Sequence, residues 1–423
     1  MRSKTSPKNK KKKKAPSKNR EFAVITYSFL ALFICLMGYF TYFQFEKSED
    51  FIDNPYNTRQ ETFEQKVVRG KILAATGETL AETISDDAGN DTRRYPYGSI
   101  FAHVVGYSTH GKTGIESQAN FDLLRSNVSI IEKTGNEIQG EKSIGDNVVT
   151  TLDYELQLRA YDALGSYDGA VVVMEPATGK ILAMVSKPDF DPNTISEGWD
   201  TLTADTNTDA VLLNRATQGL YPPGSTFKIL TTLEYLNEHG TDEDYSYSCN
   251  GSFTVGNTTI HCHNNKSHGT QTLKQAFANS CNSAYSSMGL DLDITQFAKL
   301  CDSLLFNTSL PTKFESSKSS FVLQSSDGDA SIMSTSIGQG KTLVTPFHMA
   351  LIVSAIANDG VLMQPYVIDH TETYEGTVHE QNEPETYKQL ISSENAAVLQ
   401  EYMSAVVQNG TGQKLKGQSY EAA

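Results

Sequence analysis

The residues best suited to covalent chemistry lie in Tyr221-Pro222-Pro223-Gly224-Ser225-Thr226-Phe227-Lys228. Two prolines and a glycine end an extended stretch, and a helix starts at the serine. Lys228 is three residues on, so its amine shares a helix face with the Ser225 hydroxyl. A desolvated lysine loses its charge readily and can take the serine proton. The helix N-terminus adds backbone N–H groups and a positive dipole end toward a developing oxyanion. That combination points to acyl transfer through a serine nucleophile. Ser225 is the only serine in the chain with a lysine three positions later. Spacing alone is a weak signal, so the surrounding sequence has to carry the reading.

The elements that must position this pair are legible on both sides of it. Asp153 caps a helix whose apolar residues Leu156, Ala160 and Leu164 fall four apart, and Gly165 stops it. Ala170 to Met174, the turn Pro176-Ala177-Thr178-Gly179, and Ile181 to Val185 read as a buried hairpin. Helices are expected over Thr226 to His239, Thr272 to Met288, Ile294 to Leu305, Pro346 to Asn358 and Ser393 to Val407. Thr345-Pro346 is a cap with proline at the first helical position, and Gly360 is a matching stop. Strands first and then mostly helices define an α+β fold.

The chain has 423 residues, enough for two or three folded units, and a net charge of -15. Residues 1–20 hold ten Lys or Arg and no acid, leaving 25 basic against 50 acidic side chains in the remainder. An acidic body of this kind lacks the basic face that phosphate contacts need, so nucleic acid is excluded as a partner. From Phe22 to Phe45 there are 24 consecutive uncharged residues. About 20 apolar residues cross a bilayer, so this run reads as a transmembrane anchor. The apolar region of a cleaved signal would be shorter and end in small residues; this one ends in Gln44-Phe45-Glu46-Lys47. The basic run Lys10 to Lys14 then marks the cytoplasmic flank and sends the body outside the cytoplasm. Residues 1–21 are thus a basic cytoplasmic tail, 22–45 the anchor of a single-pass cell-membrane protein, and 46–60 a juxtamembrane connector.

Cys35 lies in the anchor. Cys249 and Cys262 flank a strand-like Ser252 to Val255 in a Gly/Asn/Thr-rich stretch, and outside the cell that spacing suits a disulfide across a short hairpin. His261, His263 and His268 crowd Cys262 and raise a metal as the rival. The paired CxxC or HxxxH ligands of ordinary zinc sites are absent, so a disulfide or two free thiols is favoured and no metal or cofactor is expected.

Fifty-five residues after Ser225 stands Ser280-Cys281-Asn282. SxxK followed by SxN, with the proline–glycine lead-in, resembles the penicillin-binding protein family of serine acyltransferases. The resemblance covers most of the chain beyond residue 65. Arg69-Gly70-Lys71-Ile72-Leu73-Ala74-Ala75-Thr76-Gly77 is similar to the start of the non-catalytic domain of compact, penicillin-binding protein A-like class B members. Thr151-Leu152-Asp153 with Gln157, Glu175 to Met184, and Asn214-Arg215-Ala216 resemble the start of their transpeptidase domain. Ile337-Gly338-Gln339-Gly340, Thr345-Pro346 and Ala357-Asn358-Asp359-Gly360 are similar to its later helices.

The resemblance implies an N-terminal non-catalytic, pedestal-like dimerisation domain of mixed α/β structure over 46–148. It implies a penicillin-binding/β-lactamase-like transpeptidase domain over 149–423. The activity implied is peptidoglycan crosslinking on D-Ala–D-Ala stem peptides, with β-lactams as substrate mimics. Ser225 would be the nucleophile, Lys228 its base, Ser280 a proton relay and Asn282 a substrate-amide ligand. A SEDS-family glycosyltransferase is the partner implied. The family's third motif, Lys-Thr-Gly, would follow Gln418 to Ala423, so the domain is expected to lack its C-terminal strands and helix. As it stands it would be unstable and catalytically incomplete, with the 170–185 hairpin short of sheet neighbours. Lys112-Thr113-Gly114 precedes Ser225, and Lys341-Thr342 is followed by Leu343, so neither substitutes. Thr335 stands where a nucleotide-binding P-loop needs its first glycine. Two alternatives are a non-catalytic partner of the glycosyltransferase and a β-lactamase or β-lactam sensor.

Overall fold

The computed structural model describes residues 19–43, 66–127, 138, 141–204 and 209–423. The basic run and the connector expected at 46–60 lie outside these residues. The chain divides into two compact units, Met1–Asn57 and Thr58–Ala423.

In the first unit, helix α1 (Asn19–Tyr42) is 24 residues long. Its large apolar side chains, from Phe22 to Tyr42, are exposed on every face. A helix apolar all round with no protein cover is suited to lipid rather than to a water-facing surface. Its two threonines return their hydroxyls to the helix, Thr26 Oγ1 to Phe22 O at 2.8 Å and Thr41 Oγ1 to Met37 O at 2.9 Å. No polar hydrogen is then left facing hydrocarbon from these side chains.

The second unit opens with strands β1 (Ile72–Leu73), β2 (Thr79–Ser85), β3 (Asp91–Arg94) and β4 (Asn147–Thr150). Helix α2 (Tyr154–Leu164) follows, and then the hairpin β5 (Gly169–Met174) and β6 (Ile181–Lys187). Helix α3 (Lys228–His239) leads to four short strands: β7 (Tyr247–Cys249), β8 (Ser252–Val255), β9 (Thr258–His261) and β10 (Gly269–Gln271). Helices α4 (Leu273–Ala278), α5 (Asn282–Asp291) and α6 (Pro346–Ala357) come next. Strands β11 (Ile368–Glu372) and β12 (Val378–Gln381) precede helix α7 (Ser393–Asn409).

A six-stranded sheet runs β12-β11-β4-β1-β2-β3. β4 sits between parallel β1 (Ile72 opposite Val148) and antiparallel β11 (Thr371 opposite Val148). Residues around position 370 therefore complete a sheet begun at position 72. Beside it, the fully buried Glu116 carboxylate is clasped by Arg69 Nε and Arg93 Nε, each at 2.7 Å. Arg69 also bonds Asn120 Oδ1 at 2.6 Å. Burial raises the Glu116 carboxyl, but Arg69 and Arg93 outweigh it and hold it below the ordinary range. The Arg69-Gly70 motif is thus the cross-brace of this sheet.

Asp153 caps α2 by accepting from the Leu156 N–H at 2.8 Å, and Gly165 ends it. The β5–β6 hairpin forms a sheet of its own. Ala183 and Val185 pack on Ala160 of α2, with Val171 and Val173 alongside. Ile181 and Met184 enter the main core, against which Ala170, Val172 and Met174 pack. The hairpin is short of sheet neighbours, as expected; each face nevertheless meets protein, and every β5 residue stays half-buried.

Candidate active site

Ser225 is held by backbone rather than by its own side chain. Tyr221 and Val344 exchange both backbone hydrogen bonds, at 3.0 and 2.9 Å, before two prolines that cannot donate. Gly224 follows with φ of +58°, donating its N–H to Gly338 O at 2.8 Å. Gly338 has φ of +74°, and a Cβ there would sit 1.8 Å from Gly224 O. Only glycine tolerates that approach in that conformation. A 3-10 turn, Gly224–Phe227, then runs into α3. The sequence led to an α-helix from Thr226; the tighter turn eclipses positions three apart and brings Ser225 over Lys228. Between them, buried Phe227 anchors the turn, its ring 5.9 Å from Phe297, 6.2 Å from Phe306 and 6.0 Å from Phe321.

Lys228 is only 2% exposed. Its Nζ lies 3.3 Å from Ser225 Oγ, 2.8 Å from Ser280 O, 2.9 Å from Ser280 Oγ and 2.8 Å from Asn282 Oδ1. Burial lowers the Lys228 amine to about 8, because desolvation disfavours the ammonium. No carboxylate is hydrogen-bonded to it among the described residues, so it can exist neutral near physiological pH.

The single helix expected over Thr272 to Met288 is two helices, α4 and α5. The break falls at Ser280, which has φ of +50°. A non-glycine residue there is strained, and it turns both its hydroxyl and its carbonyl toward Lys228. Asn282, at the first position of α5, donates from Nδ2 to His261 O at 2.9 Å and accepts from Lys228 at Oδ1. The four residues singled out from sequence, Ser225, Lys228, Ser280 and Asn282, thus share one hydrogen-bond cluster.

The cluster opens into a cleft of about 760 Å³, whose walls include Ser225, Ser280, Asn282, Lys266, His268 and Lys414. Lys266 and Lys414 add positive charge suited to an anionic substrate group, and sequence reasoning missed both. Lys414 arrives because Thr411 N–H bonds Ala278 O at 3.1 Å, docking the segment after α7 against the end of α4. Only the Gly410-Thr411-Gly412 turn hinted at that docking. Neither Lys112-Thr113-Gly114 nor Lys341-Thr342 lines this cleft among the described residues.

The disulfide reading for Cys249 and Cys262 requires correction. Their sulfurs are 3.7 Å apart and both are free thiols, whereas a disulfide needs about 2.05 Å. A third sulfur lies beside them: Cys281, inside the Ser280–Asn282 motif, is 3.7 Å from Cys262. His268 Nδ1 completes the group, 3.5 Å from Cys249 Sγ.

Residues 169–423 match the penicillin binding protein transpeptidase domain, and residues 69–148 match the penicillin binding protein A dimerisation domain. The chain belongs to the penicillin-binding protein transpeptidase family. It is similar to the peptidoglycan D,D-transpeptidase PbpA of Mycolicibacterium smegmatis, 29% identical over 414 residues, 92% of this chain and 83% of the relative. Among solved structures it resembles the imipenem acyl-enzyme complex of penicillin-binding protein A from M. tuberculosis. The TM-score is 0.73 at 28% identity, covering 82% of this chain and 83% of that one. A D,D-transpeptidase domain from Eggerthella lenta aligns at a TM-score of 0.74 and 30% identity, covering 84% and 85%.

Proposed function

We propose that this chain is a serine D,D-transpeptidase that crosslinks peptidoglycan stem peptides through an acyl-enzyme on Ser225. The observation that carries the assignment is Lys228, buried and bonded at once to Ser225, Ser280 and Asn282. Neutral Lys228 takes the Ser225 proton as Oγ attacks the carbonyl carbon of the D-Ala–D-Ala bond. The C–N bond then breaks, and the departing D-Ala amine receives a proton relayed from Lys228 through Ser280. Asn282 holds the substrate amide. An amine from a second stem attacks the ester, its proton returns through the same groups, and Ser225 regains its hydrogen. A β-lactam follows the first half only, because its leaving nitrogen stays tethered in the opened ring.

The membrane reading accompanies this one. Residues 1–21 face the cytoplasm, 22–45 span the bilayer, 46–148 form the non-catalytic domain and 149–423 the transpeptidase domain outside. α1 is long and apolar enough to cross a membrane. The resemblance to compact class B proteins supports a SEDS-type glycosyltransferase as partner, and co-purification from membranes with and without residues 46–148 tests it. The activity is tested by incubating the detergent-solubilised protein, expressed from a reading frame that supplies the family's Lys-Thr-Gly motif, with a stem pentapeptide and an acceptor amine. Release of D-Ala with formation of the new amide is expected, and Ser225→Ala should abolish both. Unchanged D-Ala release by Ser225→Ala would overturn the assignment.

A further inference from the structure

We propose that the cleft between residues 103–118 and residues 212–218 is a second binding site, one that takes a small monocarboxylate carrying an aromatic or branched apolar group. The cleft has a volume of about 240 Å³ and shares no wall residue with the Ser225 cleft. One water needs about 10–15 Å³ by the same measure, so the space suits a molecule rather than a single solvent. Its walls come from both domains. Residues 103–118 belong to the dimerisation domain, while Asn214, Thr217 and Phe314 belong to the transpeptidase domain.

Two buried polar atoms on these walls, Gln118 Nε2 and Thr217 Oγ1, have no hydrogen-bond partner among the described residues. Thr217 is 1% exposed, and its backbone is fixed by the Ser317 N–H, which donates to Thr217 O at 3.0 Å. Proteins pair nearly all their buried polar groups, so an amide and a hydroxyl left open on one cavity mark where a ligand would bond. Both can donate hydrogen. Lys112 and Lys313 stand on the same walls, against the single carboxylate of Glu315, whose Oε2 accepts from Gln218 Nε2 at 3.2 Å. Two donors and two ammonium groups select a negatively charged acceptor. One net positive charge matches a monocarboxylate better than a phosphate.

The remaining wall is apolar. Tyr107, Phe190 and Phe314 are buried there, and the Phe190 ring meets His103 edge-on at 5.1 Å and Tyr107 at 5.8 Å. Burial lowers His103 to about 4, so its ring is neutral and joins this surface. Water alone would satisfy the open amide and hydroxyl but would leave the aromatic faces wet. The cleft is also preformed. A Cβ at Gly106, with φ of +84°, would fall 1.9 Å from Thr113 O, so the Lys112-Thr113-Gly114 turn is packed directly on residue 106. A ligand bonded to Gln118 and Thr217 would bridge the two domains.

The test is fluorine NMR of 4-fluorophenylacetate with the same detergent-solubilised protein, read as saturable line broadening. Binding with a Kd of about 1 mM or tighter is expected, displaced by phenylacetate. Phenylacetamide, which lacks the charge, should bind at least about fivefold more weakly. Thr217→Val keeps the shape and removes the unpartnered hydroxyl, so it should weaken binding at least about fivefold without lowering the melting temperature. Lys313→Ala, at an exposed position, should weaken binding about threefold and keeps the test open if the first variant misfolds. Lys266→Ala, in the Ser225 cleft, should leave binding unchanged, which separates this site from the catalytic one. The readout does not depend on whether Ser225 reacts. No saturable binding at about 10 mM, which would leave the cleft to water, would overturn the proposal. Equal binding by Thr217→Val and the parent, equal binding of phenylacetamide, or loss of binding in Lys266→Ala would do the same.

Discussion

Lys228 grips Ser280 at two atoms, its carbonyl at 2.8 Å and its hydroxyl at 2.9 Å, while Ser280 holds a φ of +50°. The strain is local and the return is functional: one amine is held in place while it faces Ser225. Lys228→Arg keeps a cation but cannot give up its proton. We expect it to lower the β-lactam acylation rate by about 10²–10⁴-fold, the usual worth of a general base, and to lower the melting temperature as well, because a larger and permanently charged side chain is buried there. Stopped-flow acylation within tenfold of the parent would argue against Lys228 as base.

The burial that lowers Lys228 to about 8 sets the pH dependence. Its neutral form is the base, so protonation removes activity as pH falls. Acylation should rise from pH 6 and level off above about 8, dropping roughly tenfold per unit on the acidic limb. A flat profile between pH 6 and 8 would contradict this.

Gly338→Ala tests the backbone that carries the nucleophile. A Cβ 1.8 Å from Gly224 O at φ of +74° must push the Ser225 turn aside. A cost of about 2 kcal/mol or more in stability and a large loss of acylation are expected, since strain of this kind costs about 1–3 kcal/mol before any repacking. Thermal unfolding and acylation measured on the same sample read both effects.

Glu116→Gln leaves Arg69 and Arg93 buried without their counter-charge. Removing one partner of a buried ion pair costs about 3–5 kcal/mol, which should appear as a marked fall in melting temperature. The same carboxyl has a pH signature. Its folded value lies below the ordinary one, so its contribution is present above the ordinary carboxylate range and is lost as pH falls through the folded value. The variant should therefore lose less stability on acidification than the parent.

Local signals were readable where short-range chemistry decides the outcome. Asp153 and Gly165 bound α2, Thr345-Pro346 opens α6, and Ser225 and Lys228 stand three apart on one turn. The break at Ser280 was hidden because apolar spacing continues across it, and the bonds that hold its backbone come from Lys228, 52 residues away. The sheet partner of Val148 was hidden for a similar reason, since β11 lies over two hundred residues later. The thiol cluster takes its members from β7, the ends of two loops and the SxN motif, with no short spacing to announce it. Contacts that close over long sequence distances leave no periodic trace.

The most direct test of the central claim is covalent labelling of the full-length protein by penicillin, followed by intact-mass and peptide-mapping spectrometry. The account predicts one adduct per chain, carried by Ser225, absent in Ser225→Ala and retained after substitution of serines outside the cleft. Labelling that persists in Ser225→Ala, or an adduct mapped to another residue, would contradict it.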